Sequence, residues 1–189
     1  MNYPTQLIEE LTSYQAIDAE ESKMQAQLLA FVQDTPDCLY RTHLAGHLTA
    51  SAFVLDQSLE KVLIIHHKKL DRWLQPGGHA DGDPDLLAVA QKEVEEETGL
   101  LTKPLQTHFF DLDIHLIPER KDVPEHFHYD LRYLLIERSG SVLQGNEEVN
   151  GLKWVKVSDL EQYFVDRSVL RMAEKCSPEF LKKVAKMPM

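Results

Sequence analysis

The sequence predicts an α/β protein, in which helices flank a sheet. Runs of alternating or consecutive apolar residues bounded by turn residues are typical of strands. Such runs occupy residues 48–55, 61–67, 107–117, 126–137 and 152–157. Apolar residues spaced three or four positions apart are typical of helices. That spacing occurs near both ends of the chain and again at residues 84–98.

The composition limits the possible functions. The chain has 189 residues and a formal net charge of −11, which argues against binding a nucleic-acid polymer because phosphate backbones need basic surfaces. No apolar run is long enough for a membrane span, and the first residues lack the pattern of a signal peptide. Cys38 and Cys176 form no zinc or CxxC pattern, so we expect reduced cysteines and a cytoplasmic protein.

Residues 77–100 combine a glycine-rich turn with a predicted helix. Asp83 is placed to cap the helix N-terminus, and Pro84 suits the first helical position. Gly99 can end the helix in a left-handed conformation. The sequence therefore predicts a loop and a helix of defined length.

Three glutamates of this helix share one face. Glu93, Glu96 and Glu97 stand at i, i+3 and i+4, and like charges at this spacing repel one another. A hard divalent cation such as Mg²⁺ or Mn²⁺ would turn this repulsion into binding, since such ions prefer carboxylate oxygens. The alternative is an acidic helix face that is simply solvated.

The stretch resembles the Nudix box, with the pattern G-x5-E-x7-R-E-U-x-E-E-x-G-U, where U is aliphatic. Gly78 takes the first position and Leu100 the last, and the three glutamates fall on pattern positions. Pro84 replaces the first glutamate of the pattern and Lys92 replaces its arginine. The resemblance, which extends over roughly residues 45–160, implies an α/β/α sandwich with a mixed, curved sheet and additional N- and C-terminal helices.

The resemblance also implies a site and a reaction. Glu93, Glu96 and Glu97 would bind Mg²⁺ or Mn²⁺, with the backbone carbonyl of Gly77 as a further ligand, and water would cleave a diphosphate linkage in a nucleotide-type substrate. Glu96, Glu97 or Glu148 would take the proton of the attacking water. Glu148 is included because many family members place another acidic residue before the strand that LKWV begins here. Glu147 is a second candidate at that place, and a solvated loop pair of Glu147 and Glu148 is the alternative.

Several other side chains are candidates for substrate contact. Arg72 belongs to a small basic cluster with Lys68 and Lys69, and His79 directly follows the glycine pair. His126, His128 and Arg132 alternate along one predicted strand, so they should share a face. The His-x-His pair can also chelate zinc, but the sequence offers no third soft ligand at a telling spacing.

The chain divides into a helical extension, residues 1–42, and a Nudix-like domain, residues 43–189. In the extension, Asp18 should cap the second helix. The extension is expected to pack on the core; a homodimer contact or a wall over the substrate base are alternatives. The departures at Pro84 and Lys92 keep open a catalytically weak or inactive module that senses a nucleotide. An isopentenyl diphosphate isomerase is disfavoured because no cysteine lies between Cys38 and Cys176.

Overall fold

A computed structural model describes residues 3–120, 123–140, 142–164 and 166–184. The helices and the five longer strands agree in kind and order with the sequence patterns, and the structure adds three short strands of three residues each. The helices are α1 (Thr5–Ser13), α2 (Ala19–Asp34), α3 (Leu86–Thr98), α4 (Arg167–Lys175) and α5 (Pro178–Val184), with a 3-10 helix at Val157–Gln162. The strands are β1 (Gly46–Leu55), β2 (Lys61–His67), β3 (Arg72–Leu74), β4 (Gly77–His79), β5 (Thr102–Pro104), β6 (Asp111–Ile117), β7 (His126–Glu137) and β8 (Val149–Lys156).

Strand β1 is the centre of a mixed sheet. It runs parallel to β7 along its whole length, with Gly46 opposite Phe127 and Leu55 opposite Ile136. It is antiparallel to β4 on the other side, and it pairs with β2 in antiparallel orientation with Leu55 opposite Val62. Every residue of β1 is buried, as expected for a strand covered on both faces.

Helices cover both faces of the sheet. Alternate residues of β1, such as Leu48 and Ala50, pack with α3 and with the N-terminal helices α1 and α2. The intervening residues Phe53 and Leu55 pack with the 3-10 helix, α4 and α5. These layers confirm the predicted α/β/α sandwich with a mixed, curved sheet and helices at both ends.

The helix ends show which sequence signals were correct. Asp18 caps α2, with the Glu21 N–H donating to Asp18 Oδ1 at 2.8 Å. Ser158 and Asp159 both lie inside the 3-10 helix, where Ser158 Oγ donates to Asp159 Oδ1. The predicted C-terminal helices are α4 and α5, and residues 185–189 lie outside the described residues.

Helices α1 and α2 contribute Leu11 and Leu28, both fully buried, to the same core as the sheet. The division of the chain at residues 42 and 43 itself stays a prediction. None of the described helices combines the length and the apolar character needed to cross a lipid bilayer.

A buried network of charges joins the two ends of the chain to the sheet. Asp111 on β6 accepts hydrogen bonds from Arg171 at 2.8 and 2.9 Å and from Lys175 at 2.7 Å. Glu21 of α2 pairs with the same two cations. Burial alone would raise the pKa of Asp111, but the bond from Arg171 and the neighbouring cations hold this pKa below its ordinary value.

We expect Asp111→Asn to lower the free energy of unfolding by about 3–5 kcal/mol, because it leaves buried cations without their partner. The measurement is urea unfolding followed by circular dichroism. Asp37→Asn is the control: Asp37 is exposed, so its loss should change stability by less than about 0.5 kcal/mol. Equal effects of the two substitutions would contradict a structural role for the network.

Candidate active site

The glycine-rich loop leads into α3 through a cap that differs from the predicted one. Asp85, not Asp83, is the N-cap residue, and its Oδ1 accepts the Ala88 N–H at 3.0 Å. The prediction failed because Pro84 precedes the helix instead of opening it, while Asp83 accepts the Asp85 N–H. The predicted end is confirmed: Gly99 has φ +72° and donates its N–H to Glu95 O.

Two glutamates of α3 are held against this loop. Glu97 is 5% exposed, and its Oε2 accepts the Gly77 N–H at 3.0 Å. The half-buried Glu93 lies beside Gly78, and a Cβ at position 78 would collide with the Glu93 carboxylate. A side chain at position 78 would therefore displace the Glu93 carboxylate from its place beside strand β4, which is a reason for glycine at the first position of the motif.

Burial makes both carboxylates difficult to ionise. Burial is the main cause that raises the pKa of Glu97 to about 8; the bond from Gly77 opposes it, and the charges of Glu93 and Glu148 add to it. Burial and the charge of Glu96 raise the pKa of Glu93. These raised pKa values show that, without a cation, the ionised forms of both carboxylates are unfavourable in the folded protein.

Glu96 has a different environment. Its side chain is 54% exposed and lies 3.5 Å from the Lys92 ammonium, one helical turn earlier. Because this pair is exposed, its contribution to stability is small. Lys92, the residue that replaces arginine in the motif, therefore forms an ion pair with Glu96. Its charge offsets only part of the raised pKa of Glu93, and no cation of the described residues forms an ion pair with Glu93 or Glu97.

The donor set fits a hard divalent cation. Two crowded, partly desolvated carboxylates and an adjacent exposed one offer only oxygen ligands, as Mg²⁺ and Mn²⁺ prefer. Glu148 belongs to the loop before β8 and is close enough that its charge raises the pKa of both Glu93 and Glu97. Its own carboxylate lies 3.3 Å from the Lys69 ammonium.

Sequence reasoning missed an ion pair at the edge of this site. Asp81, with φ +49°, binds the Arg41 guanidinium through both carboxylate oxygens. The charge of Asp81 contributes to the raised pKa of Glu93. Arg41 precedes every strand and belongs to no motif, so only a homologous pattern or a structure could have indicated it.

The histidines predicted for substrate contact do come together, but with partners that the sequence did not indicate. His47 of β1 has its ring centroid 5.0 Å from those of His79, His126 and His128. His115 of β6 lies 5.4 Å from His128. We call these five residues the histidine cluster.

Burial is the main cause that lowers the pKa of three members of the histidine cluster, His47, His79 and His128. Burial, followed by the charges of Arg41 and His47, lowers the pKa of His79 to about 4. Burial, followed by His79 and His115, lowers the pKa of His128 to about 2. Because Gly78 faces Glu93 and the next residue, His79, faces His47, the short strand β4 separates the cluster from the carboxylates.

The two arginines predicted for substrate contact have unequal surroundings. Arg72 is exposed on β3, opposite His67 and near the loop that carries Glu148. Arg132 is 4% exposed and is enclosed by Asp111, Asp113 and Asp130. The structure therefore brings Arg132 into the interior with three carboxylates rather than to an open surface.

In metal-free protein, Glu97 should make the folded state less stable as the pH rises from its ordinary pKa of 4.5 to about 8. The folded state keeps the proton over this interval and the unfolded chain loses it, so stability falls with pH. Glu97→Gln should remove this fall, measured by urea unfolding in chelator at both ends of the interval. Glu95→Gln, an exposed neighbour, should keep it; an unchanged slope in Glu97→Gln would refute the assignment.

Two known proteins resemble part of this chain. "Nucleoside diphosphate-linked moiety X motif 6" of Xenopus laevis is 36% identical over 80 residues, which are 40% of this chain and 36% of that protein. "Nudix hydrolase 7" of Arabidopsis thaliana is 23% identical over 141 residues, 70% of this chain and 46% of that protein. The matches thus span less than half the length of both curated relatives.

The architecture also has counterparts among solved structures. The crystal structure of a NUDIX-family hydrolase from Clostridium perfringens superposes with a TM-score of 0.55 at 20% identity, covering 69% of this chain and 95% of that one. At this identity the likeness concerns the fold alone. The model of the NUDIX domain matches residues 46–174, a range that contains the glycine loop, α3 and the histidine cluster. With the motif, the fold and this match in agreement, the chain belongs to the NUDIX domain family.

Proposed function

We propose that the protein is a divalent-metal-dependent pyrophosphohydrolase, which cleaves a diphosphate linkage in a nucleoside diphosphate joined to another group. The observation that carries this proposal is the position of Glu93 and Glu97, two carboxylates with raised pKa values against Gly77 and Gly78. Such an arrangement costs stability unless a cation binds, so it is expected at a functional site. The names of the relatives, which refer to Nudix hydrolases and nucleoside diphosphate-linked moieties, support the same reaction class.

Glu93, Glu96 and Glu97 would hold the metal, Mg²⁺ or Mn²⁺, with the carbonyl of Gly77 as a further ligand. When bound, the metal supplies positive charge that neutralises the phosphate oxygens. The Gly77 N–H fixes the orientation of Glu97, and the absence of a side chain at Gly78 gives Glu93 its place. These contacts pre-position the carboxylates before any ligand arrives.

In the proposed reaction a water oxygen forms a bond to one phosphorus of the diphosphate, and the bond from that phosphorus to the bridging oxygen breaks. The water proton passes to a carboxylate. Glu148, on the loop near Glu93 and Glu97, is our first candidate for this base, and Glu96 and Glu97 are the others. Lys69 lies 3.3 Å from Glu148 and holds its carboxylate beside the loop.

The side chains that would contact the substrate are proposed from where they lie relative to the glutamates of α3 and the histidine cluster. Arg72 lies exposed near the Glu148 loop, so it can meet a phosphate from the box side. His79 ends the strand that carries Gly77 and Gly78 but faces His47, so it would meet the substrate from the side of the histidine cluster, together with His126 and His128. Arg132 is enclosed by three aspartates and is less suited to substrate contact. A cytoplasmic location and a homodimer contact also stay part of the proposal; Cys38 and Cys176 are both free and buried.

The proposal is tested with a panel of nucleotide sugars, dinucleotides and nucleoside triphosphates in the presence of Mg²⁺. On the substrate that is cleaved, Glu97→Gln and Glu96→Gln should each lower kcat/KM by about 100-fold or more. Glu95→Gln, on the opposite face of the same helix, should retain wild-type activity. Unchanged activity of the first two variants would remove the metal assignment.

A nucleotide sensor without hydrolysis is the second candidate, and the local structure at Pro84 is the observation that favours it. Asp83 and Asp85, the two acidic neighbours of the proline that replaces the glutamate, both accept backbone hydrogen bonds at the start of α3. Tight nucleotide binding with no product at any Mg²⁺ concentration would decide for the sensor.

A further inference from the structure

The histidine cluster contains a compact set of metal-ligating atoms that is separate from the box glutamates. Among the described residues, His47, His126 and His128 each offer one ring nitrogen, and these three atoms all lie within 4.8 Å of one another. We propose that His47, His126 and His128 form a second metal site, which binds a zinc-class divalent ion.

The sheet topology assembles the three residues. The parallel pairing of β1 and β7 sets His47 directly opposite His128. The two-residue period of β7 puts His126 on the same face as His128. The three side chains thus come from two adjacent, central strands, and rigid elements of this kind hold a ligand set more accurately than loops do.

Two of the nitrogens already have the spacing of a zinc site. His126 Nδ1 lies 2.8 Å from the carbonyl oxygen of Pro124, and since a carbonyl only accepts, this nitrogen carries the proton. The lone pair is therefore on His126 Nε2, which lies 3.3 Å from His128 Nε2. Zinc–nitrogen bonds of about 2.0–2.1 Å in a tetrahedron place two ligand nitrogens about 3.3–3.4 Å apart.

The Pro124 carbonyl acts as the outer partner that ligating histidines usually have. A histidine that binds metal through one nitrogen commonly donates the other N–H to a carbonyl or carboxylate, which fixes its tautomer and orientation. His126 is fixed in this way without any ligand present. The ring is thus prepared to present its Nε2 lone pair to an ion.

His47 supplies the independent evidence. It is 3% exposed, and among the described residues neither of its ring nitrogens has a hydrogen-bond partner at ordinary distance and angle, although a contact with the His43 backbone contributes to its pKa. A buried polar atom without a good partner costs roughly 1–3 kcal/mol, so such atoms are uncommon in folded proteins. A bound ion would satisfy one nitrogen, and because no two of the three atoms are more than 4.8 Å apart, reaching a zinc geometry needs a shift of at most about 1.5 Å.

The chemistry of the set indicates which class of ion it takes. Three imidazoles without a carboxylate or thiolate suit Zn²⁺, Co²⁺ and Ni²⁺, whereas Mg²⁺ and Mn²⁺ prefer oxygen ligands. Three protein ligands leave one position of a tetrahedron for water or another small ligand. The half-buried His79 and His115 flank the set and would border that position.

A hydrogen bond between His126 and His128 is the competing explanation for their 3.3 Å contact. It would need a proton on His128 Nε2 and would leave His47 unexplained. The metal site accounts for the contact, the orientation of His126 and the buried nitrogens of His47 together. The two explanations differ in whether the protein binds zinc.

The full-length protein, stripped of metal by chelation, is titrated with Co²⁺ and then Zn²⁺ in a large excess of Mg²⁺, which occupies the carboxylates. We expect one Co²⁺ per chain with visible d–d absorption of a nitrogen-rich, low-symmetry site, and its displacement by one Zn²⁺. His126→Gln and His128→Asn should each weaken Zn²⁺ binding by about 100-fold or more, since changes in outer-shell partners alone cost 10–100-fold.

Two controls separate this site from other binding. His115→Gln changes a cluster member outside the ligand set, and His108→Gln changes an exposed histidine elsewhere; both should keep the wild-type affinity. Thermal melts establish that each variant is folded. Zinc binding that persists in His126→Gln and His128→Asn, or that is lost instead in Glu93→Gln and Glu97→Gln, overturns the proposal.

Anomalous diffraction at the zinc absorption edge from wild-type crystals provides a test that needs no variant. A peak between His47, His126 and His128 supports the site, and zinc confined to the box glutamates or absent from the protein overturns it. Neither experiment involves substrate, so the zinc proposal and the proposed hydrolase activity can fail independently.

Discussion

The parallel pairing of β1 with β7 is the constraint on which the rest of the structure depends. These strands are about seventy residues apart in the chain, yet they stay in register along the whole of β1. The register sets Thr49 and Ser51 against Asp130, which accepts hydrogen bonds from both hydroxyls at 2.9 and 2.7 Å. Asp130 also pairs with Arg132. The parallel pairing thus builds a buried polar network next to the apolar core, and such a network fixes the positions of its side chains.

The glutamates of α3 and the histidine cluster lie on either side of one three-residue strand, β4. Gly77 and Gly78 of β4 meet Glu97 and Glu93, and His79 of the same strand meets His47. Carboxylate oxygens and imidazole nitrogens are thus kept apart by a short element of backbone. The absence of a side chain at Gly78 leaves room for Glu93 of α3, and its absence at Gly77 lets β4 pack closely on Ser51 of β1.

Much of the fold could be predicted from the sequence because its signals are local. The apolar periods identified the main strands and helices, and the motif at residues 77–100 identified the box loop and α3. The cap assignment at Asp83 failed because several polar residues compete within two or three positions. The proposed ligand set of the histidine cluster could not be found, since His47 meets His126 and His128 only through strand pairing at long range. For the same reason the sequence gives no sign that Arg132 is enclosed by three aspartates.

The charge network at Asp111 couples the stability of the N-terminal helices to that of α4. Its carboxylate accepts hydrogen bonds from Arg171 and Lys175 of α4, and Glu21 of α2 pairs with the same cations. Neither α2 nor α4 can therefore detach without leaving a buried ion of the other helix unpaired. The N-terminal helices thus unfold together with the sheet and α4 rather than as a separate unit, and local opening at either helix should destabilise the other.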